Sequence, residues 1–141
     1  MPTYQLDRSL ARDTWKQLDS FTRGYIEAAM WTLTDDDGES LDHLGLHDVH
    51  PDTIAAAVAD CQAFQEANYA DVSEYCIRRR TWINPHMEES AGHDYWLNRN
   101  RHGAGFWDRG LGELGTRLSE AAKADGECNW YVGDDGMVHQ M

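Results

Sequence analysis

Lysine is almost missing from this chain of 141 residues, with only Lys16 and Lys123 present. Arginine included, there are 12 basic side chains against 25 acidic ones, so the formal charge is 12 − 25 = −13. A field of that sign repels phosphates at long range, which makes nucleic acid an unexpected partner. It favours solubility and basic partners, and it fits a solvated surface or an imitation of nucleic acid seated in a basic groove. Cysteine is also sparse. Cys61, Cys76 and Cys128 are odd in number and form no C-x-x-C, so reduced thiols in a cytoplasmic protein are expected. No apolar run approaches the ~18 residues of a membrane helix, and the first residues lack the apolar core of a signal peptide. The expectation is one soluble domain over 1–141, with 1–19 as a loosely attached arm or helix, no membrane partner and no cofactor.

The hydrophobic pattern divides the rest. Leu6, Leu10, Trp15 and Leu18 have a loose helical spacing. Ser20 stands as a candidate N-cap before Phe21, Tyr25, Ala28 and Ala29, which predict a helix over about 21–33. The acidic run Asp35–Glu39 ends it, and a leucine-bearing connection leads to Pro51, acceptable in a first helical turn. Ile54, Ala57, Val58, Cys61 and Phe64 predict a helix over 52–67, with Val72, Tyr75 and Cys76 as an extension of the same face to 77. Arg78-Arg79-Arg80 suits a helix end, where cations meet the negative pole, and 81–91 reads as a loop.

Aromatics, cations and glycine concentrate in Gly92–Gly110. Here Tyr95, Leu97 and Arg99 alternate with Asp94, Trp96 and Asn98, and a period of two predicts a strand. Ala104 and Phe106 then alternate with Gly105 and Trp107, so the block reads as an antiparallel hairpin turning through Asn100–Gly103, with Gly103 at positive φ. Leu111, Leu114, Leu118 and Ala122 predict a third helix ended by Gly126. Cys128–Val132 and Met137–Gln140 form a second hairpin about Gly133–Gly136. The expected fold class is α+β: an antiparallel sheet of about four strands, made from two hairpins, with some three helices on one face.

Gly92–Gly110, the following Leu111–Gly115 and the terminal Tyr131–Gly136 resemble a widespread family of small uncharacterised bacteriophage and prophage proteins. The family segment reads approximately G-H-D-F-W-L-T-R-N-x-H-G-A-G-F-W-D, from which Tyr95 and Asn98 depart mildly. Tyr25–Trp31 and Asp60–Phe64 resemble its earlier blocks, while Tyr75–Glu89 looks like an insertion. The resemblance implies a phage accessory gene and supplies no activity.

Several constellations are chemically suggestive. Arg99, Arg101 and Arg109 flank His102, Gly103 and Gly105, and with Trp107 they form the candidate ligand- or partner-binding set: backbone amides beside guanidinium groups suit an anion, and aromatics suit stacking. Set against this, the glycines serve a turn, the arginines pair with carboxylates and the aromatics are core. His93, Asp94, His102 and Asp108 could exchange protons, but no nucleophile motif accompanies them, and no catalytic residue is assigned. His43, His47, His50 and Asp52 are of metal-ligand type, yet they fall in a loop and read as surface groups. The favoured function is binding of a host protein, as a counter-defence or host-takeover inhibitor or an acidic nucleic-acid mimic. A nucleotide or small-anion binder comes second and a His/Asp enzyme third; a homodimer stays open beside all three.

Overall fold

The computed structural model describes residues 8–34, 38–41 and 43–141, with side chains from residue 12 onward. Its helices are α1 (Arg8–Gln17), α2 (Ser20–Trp31), α3 (Pro51–Ala67), α4 (Tyr69–Arg79), α5 (Glu88–Arg99) and α6 (Glu113–Ala124). Strands β1 (Trp130–Val132) and β2 (Val138–Gln140) form the terminal hairpin, with Tyr131 opposite His139. Among the described residues this is the only sheet, so the expected four-stranded α+β architecture gives way to a mainly helical domain. None of the described helices is long and apolar enough to cross a membrane.

The correction lies in the central block, where Glu88–Arg99 is one helix, taking in the end of the expected 81–91 loop and the whole of the first expected strand. Ala91, Gly92 and every residue from Asp94 to Arg99 are buried. A helix enclosed on all sides shows no polar face, so its sequence carries no 3.6-residue stripe and a short alternation can pass for period two. The expected turn is the helix end. Arg101 N–H donates to the Asn98 carbonyl and His102 N–H to that of Leu97, the paired bonds of a Schellman cap. The left-handed residue in it is Arg101, at φ 58°, and not Gly103. Phe106–Asp108 then forms one 3-10 turn where a returning strand was expected.

α5 packs most extensively on α2, and two glycines bring the backbones together. A Cβ on Gly24 would sit 1.8 Å from the Glu89 carbonyl oxygen, and one on Gly92 would sit 1.8 Å from that of Phe21. Around this crossing runs a continuous aromatic core. Phe64 stacks on Tyr95 at 4.1 Å between centroids, Tyr75 meets Phe106 edge-on, and Trp96 lies between Tyr25 and Trp130.

The other elements keep close to expectation, with local differences. Asp19, not Ser20, caps α2 by accepting from Thr22 N–H. Pro51 occupies the first turn of α3, with His50 as its N-cap. The 52–77 face is broken at Asn68, whose φ of −123° and ψ of 29° leave the helical region and start α4. α1 is tied to α2 by Arg23, whose guanidinium donates to the carbonyls of Trp15 and Lys16. Gly126 follows α6 at φ 81°, as expected of a left-handed cap. Asp35–Asp37 of the acidic run lie outside the described residues, as does Leu6.

Candidate functional site

The polar residues of α5 each reach a different element. Asp94, fully buried, accepts two hydrogen bonds from Arg109, at 2.7 and 3.1 Å, and one from the Tyr75 hydroxyl at 2.6 Å. Arg79 joins from α4, donating to the Tyr75 hydroxyl and to Ser90 Oγ. The hydrogen bond to Asp94 holds the Arg109 guanidinium above its usual range despite burial. Burial, then the Asp94 charge, pushes the Tyr75 phenol up.

Arg99 is the second hub. It donates to Asp60 Oδ2 at 2.8 Å, to the Tyr25 hydroxyl at 3.0 Å and to the carbonyls of Asp125 and Gly126 that end α6. A cation there meets the negative pole of α6 and fills carbonyls that have no helical partner. Asn98 Oδ1 accepts from Phe106 N–H at 2.7 Å, so closely that a Cβ on Gly105 would fall 2.3 Å from it. Asn100 Oδ1 accepts from Cys128 N–H. The conspicuous block is thus the fold's polar centre, joining α5 to α2, α3, α4, α6 and the start of β1.

The candidate set separates accordingly. Arg99 and Arg109 are spent on Asp60 and Asp94, while exposed Arg101 lies 3.7 Å from Glu127. Gly103 has open space where a Cβ would be, and Trp107 is about half exposed. His102 lines a small cavity of about 240 Å3 with Thr32, Trp96 and Trp130. His93 sits midway along α5 against Trp31, and burial lowers its pKa. His102 lies past the cap of α5, and among the described residues no hydrogen bond joins it to His93. His47 pairs with Asp48, and His50 accepts from Asp52 N–H and stacks near His139. Among the described residues no group of three or more potential ligands converges on a metal position.

Another concavity lies elsewhere, a groove of about 850 Å3 along α4 and the 80–88 connection. Buried Val72 and half-buried Cys76 form its base. Its walls include Tyr69, 74% exposed, together with Ile77 and Trp82, the last 91% exposed. Ile83 beside Trp82 is also exposed at 69%. The two sit in a closed turn: Thr81 N–H donates to the Asn84 carbonyl, and Asn84 N–H donates to Thr81 Oγ1, both at 2.9 Å. Burial, then the Glu88 charge, pushes the Cys76 thiol up to about 11. Sequence reasoning missed this surface. The available signal was Trp82-Ile83, two large apolar residues inside a segment that otherwise reads as loop.

Fold and groove together define a small, mainly helical domain with a large apolar-walled surface depression. No protein-family model, curated protein or solved structure matches the chain.

Proposed function

We propose that the protein acts by binding another protein through the groove between α4 and the 80–88 connection. In the phage setting that the central block resembles, the partner is a host protein, met in the host cytoplasm, and binding serves counter-defence or host takeover. One observation carries this reading: Tyr69, Ile77 and Trp82 line the groove and are all exposed, and Ile83, next to Trp82 in the chain, is exposed as well. Large aromatic anchors beside a concavity are the residues that dominate protein interfaces, and a contiguous apolar patch on a soluble domain marks an interaction site. Holding an anion at Arg99 or Arg109 would instead require displacing Asp60 or Asp94, which is why that alternative is not preferred. The acidic-mimic version has less to rest on, because Asp135 of the terminal turn is paired with His139.

Affinity capture from host lysate, run in parallel with wild type and Trp82→Ala, tests the reading. A stoichiometric partner should be retained by wild type and lost by the variant, at equal melting temperature, and the purified partner should rebind. A partner held equally by both proteins would remove the groove from the function.

A further inference from the structure

Resting on that reading, we infer that the groove receives a short apolar segment carrying a carboxylate, which Arg80 binds. The arginine triplet is unequally employed. Arg78 donates to Glu74 at 2.8 Å and reaches the Leu111 carbonyl, and Arg79 is engaged with Tyr75 and Ser90. Arg80 lines the groove, is exposed, and has no side-chain partner among the described residues.

Exposed Arg12 likewise has no side-chain partner among the described residues, but of the two only Arg80 lines the apolar groove. The other ionisable groups lining the groove are His86, Glu88, the Tyr69 phenol and the Cys76 thiol. Glu88 lies in the first turn of α5, where its charge faces the positive end of that helix. Arg80 therefore has a fork of donors to offer, and a carboxylate is the acceptor that matches it in shape and charge.

The net charge of −13 does not contradict this. Exposed charges are screened beyond ~8 Å at physiological salt. A single carboxylate on an apolar segment feels Arg80 at contact range, while a basic protein body around that segment is attracted by the rest of the surface. A second copy of the chain fits less well. A two-fold dimer sets the patch against itself. It would bring together two sets of Arg80 and His86, with Glu88 the only acidic residue lining each groove.

The test is selection from a displayed random-peptide library on the intact chain, followed by fluorescence anisotropy with the synthetic peptides. Enriched peptides should share large apolar residues and one Asp or Glu. Trp82→Ala and Arg80→Glu should each weaken binding by roughly tenfold or more, the scale of an interface anchor. Replacing the peptide carboxylate by its amide should weaken wild type similarly and Arg80→Ala hardly at all, and bound peptide should slow alkylation of Cys76. Peptides that lack a carboxylate and ignore Arg80→Glu, yet are lost with Trp82→Ala, would overturn the carboxylate and leave the groove standing. No enrichment over blank resin, or binding indifferent to Trp82→Ala, would remove the groove itself. A dimer in sedimentation equilibrium that Trp82→Ala dissolves would make the occupant a second copy and overturn the inference.

Discussion

Arg101 is the residue at which local geometry and residue type disagree most. It holds φ 58° to close the cap of α5, a conformation that places its Cβ against the backbone, and its ion pair with Glu127 is exposed and 3.7 Å long. Replacement by glycine should raise stability by up to ~1 kcal/mol, read as a melting temperature a few degrees higher. Glu27 makes a different prediction. Although Glu27 is exposed, partial desolvation, a shared hydrogen bond with Glu89 and that neighbour's charge raise its pKa from 4.5 to about 7. The folded state therefore binds more protons than the unfolded one between those values, and this group's contribution to stability falls as pH rises from 4.5 to 7. Melting curves across that range should show the decline, and Glu27→Gln should flatten it and be more stable than wild type above pH 7. An unchanged slope in the variant would assign the dependence to other groups.

At the scale of elements, the α2–α5 crossing organises the domain. Glycine inside a helix costs about 1 kcal/mol relative to alanine, so propensity alone favours substitution at Gly24 and Gly92. Contact opposes it. The added methyl would meet backbone oxygen at 1.8 Å in either case, and backbone cannot step aside as a flexible side chain can. Gly92→Ala and Gly24→Ala should each lower stability by ~1–3 kcal/mol or more, measured by denaturant midpoint. Helices with one solvated face were legible: α2, α3 and α6 follow directly from the spacing of Phe21, Ile54 and Leu114 with their neighbours. α5 was not, because Asp94, Asn98 and Arg99 satisfy their polar groups inside the protein. A buried helix that solves its polarity by tertiary hydrogen bonds has no stripe to announce it, and a left-handed cap built on Arg101 instead of glycine gives no signal of its end.

For the whole molecule, enclosure decides reactivity. Cys61 and Cys128 are buried and their thiols are pushed up by that burial, while half-buried Cys76 lies on the groove. A disulfide reagent at neutral pH should titrate at most one thiol slowly in the native protein and three after denaturation, with Cys76 identified by mass spectrometry. Fast native labelling of Cys61 or Cys128 would show a looser core than described.

The sequence by itself determined what depends on neighbours along the chain: the amphipathic helices, the β1–β2 hairpin and the left-handed Gly126, together with the acidic balance of charge. Only the tertiary structure decided the rest. Arg99 and Arg109 could be anion ligands or structural ions until Asp60 and Asp94 were found beside them. Arg80, identical in type and next in line to Arg79, is distinguished because α4 ends there and turns it away from the core. Whether a charge is spent or available depends on distances between residues remote in sequence, and that information exists only once the chain is folded.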